Sequence, residues 1–280
     1  MSERILLYLC YTENTKSIDM HRIIRLAAVA AIAAVLASCS HKIAITAHRG
    51  YWNCEEAGFA ENSIKSLEMA QKNHFWGSEF DVHITSDLVL VVHHDAHING
   101  KSIHTHDYAD FKDYRLKNGE KLPTLDEYLT QGEKGGTVLV FELKAQYDKA
   151  HEDYMVDKSI EALKAHNLFD PKKVIFISFS RNICERIAAL CPGFTNQYLE
   201  KDLTPDEVYA KGINGIDYHY SAFDKNPEWI VQAHKNKMSV NVWTVNDRDE
   251  IKKMADLGVD CITTNEPLLV REILGAKENK

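Results

Sequence analysis

Internal repeats, low-complexity tracts and long runs of proline or glycine are all absent from the 280 residues, which excludes solenoid, collagen-like and wholly disordered architectures. A basic surplus is missing as well. Lysine and arginine number 33 against 41 aspartates and glutamates, a net charge of −8, so the basic face that displaces counterions from nucleic acid is not expected. An acidic protein can still bind an anionic substrate where a metal ion supplies the positive charge locally. No Gly-x-Gly-x-x-Gly follows a strand-like segment, which disfavours a dinucleotide-binding open sheet. The apolar run from Leu26 to Leu36 is too short to cross about 30 Å of hydrocarbon. Cysteines are few, and once Cys10 and Cys39 are set aside, Cys54, Cys184, Cys191 and Cys261 show no metal-ligand spacing. Buried or unpaired thiols are expected. What is present is ordinary globular material, 45% hydrophobic and 26% charged, with enough chain for one large domain.

The N-terminal segment reads as targeting rather than fold. Met20-His-Arg-Ile-Ile-Arg25 is a positive start, Leu26 to Leu36 an uncharged apolar stretch, and Leu36-Ala37-Ser38-Cys39 closes it. That closing segment resembles the lipobox of bacterial lipoproteins. The resemblance implies cleavage before Cys39, a lipid on that cysteine, and an exported, membrane-anchored protein of the cell envelope, with the periplasmic side favoured. Met1 to Asp19 fits no signal-peptide region, so translation is expected to begin at Met20. Residues 1–39 are then leader and signal, and 43–277 the folded domain.

Along that domain short β-branched runs alternate with helical patterns. Strands are predicted at Ile43–Ala47, Gly77–Val82, Thr137–Phe141, Val174–Ser178, Phe194–Tyr198, Gly215–Tyr218, Met238–Trp243 and Cys261–Thr264. Helices are predicted near Glu61–Asn73, Leu125–Gln131, Ala150–His166, Ile183–Leu190, Thr204–Lys211, Pro227–Asn236, Asp247–Leu257 and Pro267–Leu274. This alternation predicts an α/β fold, a (β/α)8 TIM barrel with a small insertion after the second strand. A doubly wound sheet is the alternative. Leu88–His94 follows the second strand after a short turn at Ser86-Asp87 and is read as a hairpin addition.

Chemistry in such barrels sits where strands end, and there the polar residues gather. His48-Arg49-Gly50 ends the first strand, Glu79-Phe80-Asp81 the second, His94-Asp95 the hairpin, and Glu142-Leu143-Lys144 the third. Two-residue spacing puts Glu79 with Asp81, and Glu142 with Lys144, on one strand face. Any one of these elements alone has a bland explanation, a solvated carboxylate or a turn glycine. Their joint appearance at consecutive strand ends favours a site. Three converging carboxylates repel unless a divalent cation neutralises them, and oxygen ligands favour Mg²⁺ or Ca²⁺. His83, His97, His104 and His106 make the neighbouring stretch histidine-rich, which could mark an adventitious zinc patch, and His93 is assigned no role.

The ordered motifs Ala47-His48-Arg49-Gly50, Glu61-Asn62-Ser63, Glu79-Phe80-Asp81-Val82, His94-Asp95, Leu122-Pro123-Thr124-Leu125, Phe141-Glu142-Leu143-Lys144, Val242-Trp243-Thr244-Val245-Asn246 and Gly258-Val259-Asp260 resemble those of the glycerophosphodiester phosphodiesterase family. The resemblance covers about Ile43 to Pro267. It implies one divalent cation held by Glu79, Asp81 and Glu142, a catalytic pair His48 and His94, phosphate contacts from Arg49 and Lys144, and a substrate contact from Trp243. It also makes about Ala96 to Lys121 the inserted region, and a small glycerophosphodiester the partner. Two departures stand out. Ala60 replaces a proline, and Asn265 replaces an aspartate in a way expected to touch substrate range more than the reaction.

The residue types support hydrolysis. A cation with Arg49 and Lys144 would neutralise a phosphodiester, and in-line displacement is helped by one proton acceptor and one donor, roles two histidines fill near neutral pH. Lysophospholipase D or sphingomyelinase D chemistry would use the same groups. A silent binding lipoprotein would typically lack one of them.

Overall fold

Eight parallel strands close on themselves in the computed structural model, which describes residues 42–278. In chain order the strands are β1 (Ala44–Ala47), β2 (Gly77–Ile84), β3 (Leu90–Val92), β4 (His97–Ile98), β5 (Lys101–Ser102), β6 (Val138–Leu143), β7 (Val174–Ser178), β8 (Thr195–Tyr198), β9 (Gly215–His219), β10 (Ser239–Trp243) and β11 (Cys261–Thr264). The sheet runs β1-β11-β10-β9-β8-β7-β6-β2, and a β1–β2 pairing closes it. That closure excludes the doubly wound sheet. Strand β3 lies antiparallel on the side of β2, as the hairpin reading anticipated. The leader, Met20 and the Cys39 lipidation signal lie outside the described residues.

Buried, β-branched and aromatic runs such as Val-Leu-Val-Phe-Glu-Leu in β6 and Val-Ile-Phe-Ile-Ser in β7 suit parallel strands covered on both faces. Alternation then sorts the side chains. Phe80 points away from Glu79 and Asp81 and stacks on Tyr128 and Phe141, with ring centroids 4.6 and 4.7 Å apart. These rings belong to a core that also holds Leu67, Val156, Phe176 and Ile183 between sheet and helices. Inside the barrel the second half carries a polar chain: Asn241 Nδ2 donates to Gln197 Oε1 (2.9 Å), and Gln197 Nε2 to Ser239 Oγ (2.9 Å).

Helices start where the sequence supplies caps. Thr124 and Glu127 form a reciprocal capping box on Leu125–Gly132, as Thr204 and Glu207 do on Pro205–Ala210, and such a cap stabilises a helix by roughly 1 kcal/mol. The helix predicted from Glu61 begins at Ile64 instead, because Ser63 accepts from Ser66 N–H as its N-cap. Glu61 and Asn62 are thereby left in the loop, free for other partners. Strand β3 is shorter than predicted, since Leu88 sits at φ +65 in the turn and donates its N–H to Thr85 O. The helix Tyr220–Lys225 was not anticipated; six residues are too few for a periodic pattern.

The insertion follows β3. It carries the β4–β5 hairpin and a small core of its own from Val91, Ile98, Ile103, Phe111 and Leu122. Cys54, Cys184, Cys191 and Cys261 are all free, the last three buried, as expected.

Candidate active site

Register brings the carboxylates together. Asp81 on β2 pairs with Glu142 on β6, and ligand oxygens of Glu79, Asp81 and Glu142 all lie within 4.8 Å of one another, in buried positions. Lys144 Nζ reaches both Asp81 Oδ1 and Glu142 Oε1 at 2.7 Å, so the ammonium bridges two members of the triad. Asn62 locks Asp81 from two sides, donating from Nδ2 to Oδ2 (2.7 Å) and accepting the Asp81 N–H on Oδ1 (3.1 Å).

The turn after β1 is built for close approach. Arg49 N–H donates to Glu79 Oε2 (2.7 Å) and Gly50 N–H to Glu79 O (2.9 Å). Gly50 sits at φ +80, and a Cβ there would fall 2.3 Å from Ser66 Oγ, so no other residue fits. Arg49 is itself at φ +57, an uncommon conformation outside glycine. Its guanidinium binds Glu61 Oε2 (2.5 Å) and lies 3.7 Å from Asp81 Oδ2.

Burial sets the electrostatics of the triad. It raises Glu79 well above the usual carboxylate range, reinforced by Asp81 and Glu142. Glu142 is pushed up to about 7 by burial, against the pull of Lys144. Burial would raise Asp81 too, but Lys144, His94 and Asn62 hold it below the ordinary value. Lys144 stays firmly charged, because Glu142 and Asp81 outweigh its own burial. One lysine among three carboxylates, with Glu79 Oε1 buried and lacking a hydrogen-bond partner, leaves an oxygen-lined place that fits a hard divalent cation.

His48 and His94 both line the cavity that contains Glu79, Glu142 and Lys144. His48 Nδ1 lies 2.7 Å from Asn265 Oδ1, which can only accept, so a neutral ring carries its proton on Nδ1. Nε2 then presents its lone pair, 4.0 Å from Glu79 Oε2. Burial, helped by Arg49, lowers the His48 pKa to about 4. His94 differs: its Nδ1 faces the Asp95 carboxylate at 2.7 Å. Asn265, expected from the sequence to bear on substrate range, touches the ring of His48.

Trp243 forms one wall, its Nε1 donating to Asp217 O (2.9 Å) and its ring meeting Phe179 edge-on at 5.6 Å. Ile177 and Leu199 complete the apolar side of a cavity of about 120 Å³. His93 binds Asp95 O and Tyr114 OH instead of turning into that cavity. The histidine-rich stretch forms no metal-spaced group among the described residues. Three side chains were given no role from the sequence. Asn62 and Asp95 sit inside recognised motifs, whereas Asp217 carried no signal beyond its place in a strand.

Comparison with known proteins bears on this geometry. A family model described as the glycerophosphoryl diester phosphodiesterase family matches residues 48–269. A glycerophosphodiester phosphodiesterase of Caldanaerobacter subterraneus subsp. tengcongensis is 26% identical over 243 residues, 81% of this chain and 95% of the relative. The crystal structure of a glycerophosphodiester phosphodiesterase from Parabacteroides distasonis superposes with a TM-score of 0.81 at 41% identity, covering 84% of this chain and 98% of that one. An Oleispira antarctica phosphodiesterase, solved in complex with the product sn-glycerol-3-phosphate, shares the fold at 23% identity, with a TM-score of 0.71, over 83% of this chain and 96% of that one.

Proposed function

The chain belongs to the glycerophosphoryl diester phosphodiesterase family, and from that premise we propose how its residues divide the hydrolysis of glycerophosphodiesters to sn-glycerol 3-phosphate and an alcohol. The observation that carries the assignment is one cavity lined by two differently partnered histidines, by Lys144 and by Glu79 and Glu142 of the acidic triad. Glu79, Asp81 and Glu142 would hold one divalent cation, Mg²⁺ or Ca²⁺. When bound, that ion supplies positive charge to the non-bridging phosphate oxygens. Arg49 and Lys144 add theirs to the same oxygens.

His48 takes the base role. Its Nε2 lone pair is fixed by the Asn265 contact at Nδ1, and it accepts the proton of the attacking hydroxyl, whether of water or of the neighbouring glycerol carbon. His94, facing the Asp95 carboxylate, protonates the departing alcohol oxygen. Trp243 packs on the substrate's carbon skeleton. Release of sn-glycerol 3-phosphate from glycerophosphocholine and glycerophosphoethanolamine, with Mg²⁺ or Ca²⁺ and with chelator, tests this reading. Rapid release with metal and none with chelator is expected. Turnover of lysophospholipids without turnover of either glycerophosphodiester would move the protein to the lysophospholipase D reading.

We also propose that the protein is exported and anchored through lipidated Cys39, a reading supported by Leu36-Ala37-Ser38-Cys39 behind a short apolar run. Cys39→Ser should abolish metabolic lipid labelling and leave the signal unprocessed. Unchanged labelling and membrane extraction would refute the anchor.

A further inference from the structure

Two buried polar groups in the same cavity are not used by the reaction as assigned. Asp217 on β9 is 1% exposed, and its Oδ1 has no hydrogen-bond partner among the described residues. Thr263 on β11 is 2% exposed, with Oγ1 equally without a partner. Both line the cavity that holds His48, Glu142 and Trp243. Their strands flank β10, with Asp217 in register with Asn241 and Asn241 with Cys261.

Among the described residues no group hydrogen-bonds Asp217 Oδ1. The Trp243 indole binds its backbone carbonyl, not its side chain, and the charge that acts on the carboxyl is the repelling one of Glu142. Buried polar atoms are almost always paired, and an orphan aimed into a cavity is paired by what the cavity binds. Asp217 lies two residues inside the end of β9, two register pairs below the His219–Trp243 pair and on the same face. It therefore faces the part of a substrate that extends into the barrel, away from the rim histidines. The walls beside it, Ile177, Phe179, Leu199 and Trp243, suit a carbon skeleton and offer it no charge. A phosphate is a poor match for a carboxyl, and Arg49 and Lys144 already serve it. A hydroxyl matches, because it donates to a carboxyl oxygen in either protonation state and exchanges a second bond with a threonine.

We propose that Asp217, seconded by Thr263, holds the terminal hydroxyl of the substrate's glycerol, the one farther from phosphorus, and so determines specificity for unacylated glycerol. The inference rests on His48, His94 and the triad flanking phosphorus. An acyl chain on that oxygen would remove the donor and leave the carboxyl unpaired, so lysophospholipids should be poor substrates.

The experiment compares kcat/KM for glycerophosphocholine with that for its analogue in which 1,2-propanediol replaces glycerol. That analogue lacks only the terminal hydroxyl and keeps the one beside phosphorus. Wild type should prefer the glycerol diester by about 10- to 100-fold, the loss expected when one hydrogen bond to a charged group goes unmade. In Asp217→Leu the preference should collapse towards one, mostly through loss on the glycerol diester, and Thr263→Val should reduce it partly. Thermal unfolding confirms that each variant is folded, and Asp217→Ala, which also removes the acceptor, carries the same comparison should leucine not be tolerated. A wild-type preference near one, or variants that slow both diesters equally, would overturn the inference by making Asp217 structural. Failure of the wild type to hydrolyse glycerophosphocholine at all would instead overturn the catalytic reading on which it rests.

Discussion

Alanine at His48 or at His94 should each lower turnover of glycerophosphocholine by roughly 10²-fold or more, with folding and metal affinity nearly unchanged. The double variant should lose far less than the sum in free energy, because both residues serve one step. The two should separate when the leaving group improves. A nitrophenyl diester needs little protonation, so it should rescue His94→Ala, the proposed acid, and not His48→Ala. Rescue of the opposite variant would exchange the roles, and near wild-type rates for both would place the chemistry elsewhere. The pH profile adds a second check. A base must be neutral, and burial together with Arg49 lowers the His48 pKa to about 4, so with the cation kept saturating at each pH activity should persist well below pH 6.5 and fall as pH drops through about 4. Asn265→Asp places a carboxylate against Nδ1, favours the charged ring, and should move that acid limb upward.

Removal of the cation should abolish activity, and Mg²⁺ or Ca²⁺ should restore it. The triad predicts more than simple dependence. Ligands must be deprotonated, yet burial and mutual repulsion keep Glu79 raised and put Glu142 at about 7. Metal binding should therefore release protons, and the apparent affinity should weaken as pH falls below about 7. Titration calorimetry in buffers of different ionisation enthalpy reads the proton release directly. Asp81→Asn should lose most affinity and activity, since Asp81 contacts Lys144 and Asn62 as well as belonging to the triad. Full activity in excess chelator, or binding without proton release, would remove the triad from this role.

Much of this site was legible because its first elements are local. Period-two alternation places Glu79 with Asp81, and Glu142 with Lys144, on one face whatever the rest of the chain does. Strand and helix alternation predicted a barrel, and barrel chemistry lies at strand ends, which located His48 and Glu142 on the same rim, while Trp243 came only from the family resemblance. Boundaries were less secure. Ser63 rather than Glu61 begins the first helix because a side-chain cap decides the start, and that shift is what releases Asn62 to hold Asp81.

The sequence alone determined the alternation of elements, the face on which each acidic pair lies, and the identity of the groups able to move protons and bind an ion. These follow from spacings of a few residues and from side-chain chemistry. Tertiary structure alone decided that Lys144 bridges Asp81 and Glu142, that Asn265 touches His48 across 217 residues of chain, and that Asp217 faces the reacting cavity without a partner. The first contact needs β2 beside β6 and the second needs β1 beside β11, and no local spacing encodes which strands become neighbours when the barrel closes.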